Sequence, residues 1–317
     1  MRHSSMQRWI DWWNAYWFPR TSLVYLAICR IVVVAAQLFW LSPSLEPHFN
    51  LLENNTKFID PQLFIVAITK IVPREVFFTP TMLTLLSQIN ILVGISALLG
   101  FYTRTSLFLF TLINWIFVAH RYSYADIHHT EALLGIFLML LALSPSGERL
   151  SIDALRRRHR RRLTNNRASN SETEEMGMWP LKLMHVLLAL TYFSTGLAKM
   201  VYGGLDWMNG YTMQQILFGT AIQRDLPLGI WVAQQYTLCV FLSVFTIFFE
   251  LFFFVSILIP WTAPYFFVGG ILFHIGLYLT GGHDFFPHMI FLLLLLVFEK
   301  PERWQVWLKR RKPLHST

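Results

Sequence analysis

Charged residues are scarce in this sequence. Asp, Glu, Lys and Arg make up 14% of the 317 residues, whereas a soluble domain carries about 25%. Hydrophobic residues make up 55%, which is more apolar surface than a soluble fold of this length can cover. The shortage of charge excludes an ordinary soluble domain and predicts an integral membrane protein.

Cysteine is almost absent, since Cys29 and Cys239 are the only two. Both lie in apolar segments, so no disulfide framework is expected. A small-residue cleavage site is also lacking after the first apolar run. Because that run is long enough to cross a bilayer, we expect it to be retained as a membrane span.

The sequence does contain many long apolar runs. They predict an all-α polytopic bundle of about eight transmembrane helices, preceded by an interfacial helix within residues 1–20 that is rich in Trp. The stretch Gln62–Val72 is too short to span and is expected to lie at the interface. The predicted spans are 21–41, 80–101, 105–120, 130–145, 180–201, 237–259, 263–280 and 285–299.

The net charge of +8 is distributed unevenly. Most of the 26 Lys and Arg residues fall near the two termini and in the loop after the fourth predicted span, which places these segments in the cytoplasm. The run Arg156–Arg162 is flanked by apolar segments. It is therefore interpreted as a topology signal or a contact with anionic lipid headgroups, and not as a nucleic-acid site.

The organisation predicted from these patterns is a single membrane domain over residues 1–317, located in the cell (inner) membrane. A polar, flexible linker at 156–178 divides the bundle into two halves, and a basic cytoplasmic tail occupies 300–317. No sequence repeat relates the halves. The oligomeric state stays open.

Two charged residues lie in the middle of predicted spans. Arg30 is in the first and Glu250 is in the sixth, where Cys239, Ser243, Thr246 and Glu250 share one helical face. A charge at the bilayer centre costs roughly 2.5–3.5 kcal/mol on insertion scales. Each of these charges therefore needs a partner or a function. The sequence predicts either a structural Arg30–Glu250 contact or a direct functional role.

Lys199 lies at the outer end of the fifth predicted span, on one stripe with His185, Tyr192, Thr195 and Gly196. A lysine at this depth either extends its ammonium to the interface or serves a site. A site is favoured because several titratable residues, distant in sequence, reach the same outer level. They are His120, Asp126, His128, His129, Glu131, His274, His283, Asp284 and His288.

Two chemistries fit such a cluster. The histidines and carboxylates could hold a transition metal, although HxxHH and HExxH patterns are both absent. Alternatively, Lys199 acts as a base towards an acidic hydroxyl, with histidines orienting the substrate or carrying protons. The second interpretation is favoured, and no metal ligand is assigned.

Three stretches resemble the membrane part of the vitamin K-dependent gamma-carboxylase and its bacterial relatives, the horizontally transferred transmembrane (HTTM) proteins. The stretch from Tyr192 to Lys199, followed by 205–213, resembles YFxxGxxK…DWxxGYSM. His128-His129-Thr130-Glu131 with 151–155 resembles NHxYL…SVDGL. Phe273-His274 with 285–289 resembles FH…GMFSY, and Arg30 also suits the family.

The resemblance implies a reduced quinone, similar to vitamin K hydroquinone, as cofactor or substrate in an outward-facing pocket. Lys199 would be the base, with His128 or His129 (favouring His129) and His274 as polar wall. The implied cofactor-binding residues are Tyr192, Asp206, Trp207, Phe285, Phe286, His288 and Met289.

The long luminal region with which the carboxylase captures its peptide substrate has no counterpart here. We therefore expect quinol chemistry more than glutamate carboxylation. Two other hypotheses stay open. The first is a non-enzymatic scaffold or accessory protein for the maturation of a secreted peptide or a partner protein. The second is a transporter, which predicts helices broken at the bilayer midplane.

Overall fold

The computed structural model describes residues 5–18, 22–39, 45–54, 58–125, 129–163 and 178–298. Within these ranges the ordered elements are helices and no strand occurs. The all-α fold class is therefore confirmed. Two predicted segments lie outside the described residues: the basic tail at 300–317 and residues 164–177 of the linker.

The chain forms two compact units, Met1–Pro180 and Leu181–Thr317. The first contains a central helix, α7, against which α3, α4, α6 and α8 pack. Its helices are α1 (Ser5–Trp17), α2 (Val24–Phe39), α3 (Leu45–Asn54), α4 (Leu63–Ile71), α5 (Arg74–Phe77), α6 (Pro80–Leu99), α7 (Thr103–Tyr122), α8 (His129–Leu143) and α9 (Ile152–Leu163).

The second unit begins just inside α10 and ends with a pair of antiparallel neighbours, α15 and α16. A 3-10 helix, Gly204–Met208, follows α10. The helices are α10 (Trp179–Gly203), α11 (Tyr211–Gln223), α12 (Pro227–Gln234), α13 (Tyr236–Phe252), α14 (Val255–Leu258), α15 (Ala263–Gly281) and α16 (Phe286–Phe298).

Three helical stretches in the described part are long and apolar enough to cross a membrane: Pro80–Leu99, Trp179–Met208 and Ala263–Gly281. A fourth candidate is the pair α12 and α13, which meet at 99°. Helices α2 and α16 and the stretch Thr130–Leu143 are apolar but shorter. Each predicted span thus corresponds to a helix, but the number of about eight membrane crossings is not confirmed.

Helix α6 has clear start and stop signals. The side chain of Thr79 accepts a hydrogen bond from the backbone N–H of Met82, and Pro80 occupies the first turn. The helix stops at Gly100, whose φ of 69° is the left-handed conformation that glycine adopts without strain. A Cβ at this position would lie 2.3 Å from the Cβ of Ser151, so the backbones of the two segments meet here.

Three boundaries differ from those predicted. The single span 237–259 is divided, because α13 ends at Phe252 and the short α14 follows. The segment between the fifth and sixth predicted spans, for which the sequence predicts no helix, contains α11 and α12. The first residues of the predicted flexible linker, 156–163, are helical because α9 runs through them.

A chain of amides links three helices of the first unit. Gln37 of α2 donates from Nε2 to Oδ1 of Asn114 in α7 at 2.7 Å, and Asn114 donates from Nδ2 to Oδ1 of Asn90 in α6 at 3.1 Å. All three side chains are buried. Side-chain hydrogen bonds between apolar helices typically contribute about 0.6–2 kcal/mol each, so this chain favours one register of α2, α6 and α7.

Helix α9 is held against the start of α7 by one carboxylate. Asp153 accepts hydrogen bonds from the backbone N–H groups of Tyr102 and Thr103 and from the Thr103 hydroxyl. Partial burial raises the pKa of Asp153, but these hydrogen bonds and the nearby Arg157 outweigh it and lower the pKa below its ordinary value. The carboxylate therefore satisfies N–H groups that the first turn of α7 leaves open.

Candidate functional site

Helix α10 presents Tyr192, Gly196 and Lys199 on one face, as the spacings of four and three require. Glu250 lies near the end of α13, and Phe253 follows directly after that helix. On α13 the residues Cys239, Ser243, Thr246 and Glu250 are all buried, which confirms that they share an inward face. The two faces meet in the second unit.

The central interaction is an ion pair between Lys199 and Glu250. The Lys199 Nζ lies 2.8 Å from Oε1 and 2.6 Å from Oε2 of Glu250. The Lys199 side chain is 22% exposed and that of Glu250 is 7% exposed. The ammonium therefore points at a largely buried carboxylate and does not extend freely to the interface.

Gly196 allows the two backbones to come this close. A Cβ at Gly196 would lie 3.0 Å from the Cβ of Glu250 and 3.0 Å from the backbone nitrogen of Leu251. The absent side chain brings α10 near enough for the lysine, one turn further on, to contact the carboxylate with both oxygens. This close approach explains a glycine in the middle of a membrane helix.

Trp207 is a second neighbour of the lysine. The Lys199 Nζ is 5.3 Å from the centroid of the Trp207 ring, which is within the range of a cation–π interaction. Trp207 belongs to the 3-10 helix after α10, and its ring also packs against Gly203. The ammonium thus contacts both an indole face and a carboxylate.

The predicted pair between Arg30 and Glu250 is wrong, because each residue has another partner. Arg30 donates from Nη1 to the carbonyl oxygen of Ser146 at 3.1 Å and from Nη2 to that of Leu150 at 2.6 Å. Both carbonyls belong to the loop between α8 and α9. The guanidinium is long enough to reach this loop from α2, and it is fully buried there.

A second polar contact lies seven residues before Lys199 on the same face of α10. The Tyr192 hydroxyl is 2.6 Å from Nε2 of His274 in α15, and both side chains are buried. The Tyr192 ring stacks on Phe253 with centroids 4.3 Å apart and an interplanar angle of 17°. Tyr192 therefore joins α10 to α15 and to the end of α13.

Aromatic rings surround His274. Its ring centroid is 4.9 Å from that of Phe285 and 5.2 Å from that of His288. His288 is buried in the first turn of α16, and its ring also meets Tyr192 edge-on at 6.3 Å. Four residues that the sequence grouped in the site thus form one contiguous cluster: Tyr192, His274, Phe285 and His288.

The remaining predicted site residues are less central. Phe286 begins α16, where its N–H donates to Oδ1 of Asp284, and Met289 is half-buried. Asp206 is exposed in the 3-10 helix, and its carbonyl accepts the N–H of Asn209. His128 lies outside the described residues, as does Asp126, and of His129 only the backbone, at the start of α8, is described.

Three contributors were not recognised from the sequence as parts of this site. Glu250 was assigned to Arg30, and Phe253 and the packing role of Gly196 were not identified. The one available signal was the buried face of α13, which ends at Glu250. That face shows that the carboxylate points inward, but it does not name its partner.

A separate histidine pair in the first unit was also missed. Nδ1 of His48 in α3 lies 3.0 Å from Nδ1 of His120 in α7, and both rings are buried. The His120 ring stacks on Phe78 with centroids 4.7 Å apart. The sequence grouped His120 with other titratable residues at the outer level. Its partner is instead His48 of α3, a helix for which the sequence predicted no role.

A metal site has little support in the described residues. Among them, no three His, Cys, Asp or Glu side chains lie together in a way that could hold an ion. The candidate site contains one carboxylate, one ammonium, a phenol and two imidazoles, enclosed by aromatic rings. Such a set can bind and move protons between oxygen and nitrogen atoms without a metal ligand.

Comparison with known proteins identifies the family. The HTTM domain matches residues 18–304, which is nearly the whole chain. The chain belongs to the HTTM family. No curated protein and no solved structure matches it. The resemblance to HTTM proteins seen in the sequence is confirmed, and together with the long apolar helices it identifies a membrane protein.

Proposed function

We propose that this HTTM protein is a membrane enzyme that removes a proton from the hydroxyl group of a lipid-soluble aromatic alcohol. A reduced quinone is the substrate class implied by the resemblance to the gamma-carboxylase. The observation that carries the proposal is the Lys199–Glu250 pair. A buried ion pair within a membrane helix bundle is costly to desolvate, so its presence favours a functional site over a purely structural contact.

The pair suits proton removal better than a lone lysine does. When Lys199 is an ammonium, it has no free electron pair with which to accept a proton. The Glu250 carboxylate accepts the proton of the substrate hydroxyl, and the Lys199 ammonium stabilises the oxyanion that remains. One O–H bond breaks in the substrate and one forms on Glu250, so atoms and charge balance.

The surroundings suit a flat, apolar ring. Trp207 offers an indole face directly beside the Lys199 Nζ. Offset stacking against such faces contributes about 0.5–1.5 kcal/mol per ring pair beyond the apolar area buried. Tyr192 lies further along the same face of α10 and is bonded to His274, and a second ring oxygen would take the place of one partner in this hydrogen bond.

The test combines binding and turnover in detergent-purified protein. The probe is reduced menadione, a short naphthoquinol, and retained quinones are measured by native mass spectrometry. Turnover is recorded as oxygen consumption above the uncatalysed rate. The quinol anion passes two electrons to O2, and its second proton together with the proton held on Glu250 completes the products, menadione and hydrogen peroxide. Lys199→Ala should lower turnover on the order of 10²–10³-fold, as the loss of an oxyanion partner does. Glu250→Gln should lower it on the order of 10²–10⁴-fold, since it removes the proton acceptor.

Lys199→Arg separates the two roles of the lysine. Arginine keeps the positive charge and is never a base in proteins, so partial activity supports oxyanion stabilisation by the cation. Loss of all activity, with quinol still bound, would instead identify the lysine amine as the base. The control is Glu148→Gln, which alters an exposed ion pair with Arg157 and should leave turnover unchanged.

The scaffold hypothesis predicts a different outcome. A protein that only organises a partner would show neither retained quinone nor turnover, and it would copurify with a partner at fixed stoichiometry. Full activity of Lys199→Ala in a working assay would end the catalytic proposal. Localisation in the cell membrane with both termini in the cytoplasm belongs to the same proposal. A cysteine introduced by Ser5→Cys should be protected from a membrane-impermeant thiol reagent in intact cells.

A further inference from the structure

Helix α9 carries the strongest concentration of positive charge in the chain. Its sequence, IDALRRRHRRRL, contains six arginines and one histidine in twelve residues. Arg156, Arg158, Arg160 and Arg161 are exposed. A soluble linker needs no fixed structure at such a run, but here the run is helical and is attached to the bundle.

The attachment fixes the depth of α9. The backbone N–H of Asp153 donates to the carbonyl of Gly100 at 3.0 Å, and the Asp153 carboxylate accepts the N–H groups of Tyr102 and Thr103. Gly100 immediately follows α6, one of the helices long and apolar enough to cross a membrane. The start of α9 is therefore held at the end of a candidate span, which is the level of lipid headgroups.

Two arginines help to hold the helix. The Arg156 guanidinium carbon lies 4.5 Å from the Phe101 ring centroid and 5.7 Å from that of Tyr102. Arg157 donates from Nη2 to the carbonyl of Gly147 at 2.8 Å. Tyr102 is itself exposed at the end of the span, as aromatic residues of an interfacial belt are.

The outward edge of α9 combines apolar and basic side chains. Leu155 and Leu163 are two turns apart on one edge and both are exposed. This edge lies roughly opposite Arg157, and Arg158 adjoins it. A helix with exposed leucines bordered by arginines matches the acyl chains and the phosphates of a membrane surface at the same time.

We infer that α9 is a binding surface for anionic phospholipid headgroups, docked at the membrane boundary by Asp153. The inference is independent of the proposed function, because it concerns the first unit and needs neither Lys199 nor a quinol. A topology signal alone requires only positive charge during insertion. It does not require a docked helix with an exposed leucine edge.

Native mass spectrometry of the detergent-purified full chain tests this surface. The protein is titrated with an equal mixture of phosphatidylglycerol and phosphatidylcholine, and the ratio of the bound lipids is measured. Each basic residue near an anionic surface contributes about 1 kcal/mol, so Arg158→Gln/Arg161→Gln should lower the preference for phosphatidylglycerol by up to about 30-fold.

Two controls make the result specific. Arg158→Lys/Arg161→Lys keeps the charges and should retain most of the preference. Lys70→Gln removes one exposed charge from α4 and should leave the preference unchanged. In the unaltered protein, raising the salt concentration should weaken the preference, because exposed charges are screened.

The inference is overturned if the unaltered protein binds both lipids equally, or if its preference is insensitive to salt. It is also overturned if the glutamine variant keeps the full preference. Displacement of the lipid by a single-stranded RNA oligonucleotide at equal concentration would assign the surface to nucleic acid. The salt series uses the unaltered protein, so it decides the matter even if a variant fails to fold.

Discussion

Exchanging Lys199 for methionine removes the cation that contacts Glu250 while keeping a side chain of similar length. The Glu250 carboxylate, 7% exposed, then has no ammonium within reach of its two oxygens. Removing one partner of a buried pair costs about 3–5 kcal/mol, because the remaining charge stays desolvated. We therefore expect Lys199→Met to lower the free energy of unfolding by about 3–5 kcal/mol.

The reverse change should cost less. Glu250→Gln leaves the Lys199 ammonium, which is 22% exposed, over the face of Trp207. A lysine can extend its stem towards water, so the cost should be about 1–2 kcal/mol. In the double variant no charge is left without its partner. Its cost should therefore be smaller than the sum of the two single changes by about 2–3 kcal/mol.

Unfolding of the purified protein by SDS in mixed micelles gives the four free energies of this cycle. The matched control is the exposed pair of Glu148 and Arg157, whose side chains are 42% and 40% exposed. The cycle of Arg157→Met and Glu148→Gln should show a coupling below about 1 kcal/mol. Additive effects at Lys199 and Glu250, or a larger cost for Glu250→Gln than for Lys199→Met, would refute the reasoning.

Two further predictions concern packing and pH. Gly196→Ala places a Cβ 3.0 Å from that of Glu250, so it should destabilise the protein by about 1–3 kcal/mol and lower quinol turnover, measured by SDS unfolding and oxygen consumption. The lowered pKa of Asp153 contributes stability that is present above its unfolded value of 3.8 and is lost as the pH falls through the folded value. Asp153→Asn should therefore show a smaller fall in Tm between pH 6 and pH 3 than the unaltered protein; an equal fall would contradict this account.

The helical elements could largely be predicted from the sequence, because long apolar runs leave few alternatives to helices in a membrane. The boundaries that failed have local causes. Pro227 begins a separate short helix, α12, which turns by 99° into α13. Basic composition suggested a flexible linker at 156–163, but Asp153 and Ser151 supply a docking contact and a helix start that composition does not report.

The candidate site was predicted in part. The stripe on α10 is a local property, because positions three and four residues apart share a helical face. The neighbours of that stripe depend on which helices are adjacent, and no local pattern fixes this. His274 was found both through its predicted depth and through the family resemblance, and Phe285 through the resemblance. Phe253, which stacks on Tyr192, had no motif to mark it.

The error over Arg30 and Glu250 shows how two buried charges can be satisfied in different ways. Opposite charges at similar depth suggest a pair, but Arg30 is satisfied by the carbonyl groups of Ser146 and Leu150. Carbonyl groups accept hydrogen bonds but do not take up a proton at neutral pH, so this contact holds the loop and offers no proton acceptor. The Lys199–Glu250 pair can gain a proton at its carboxylate while the ammonium stays in place. Of these two buried charge arrangements, only the pair places a proton acceptor beside a positive charge, which is the combination that the proposed proton removal requires.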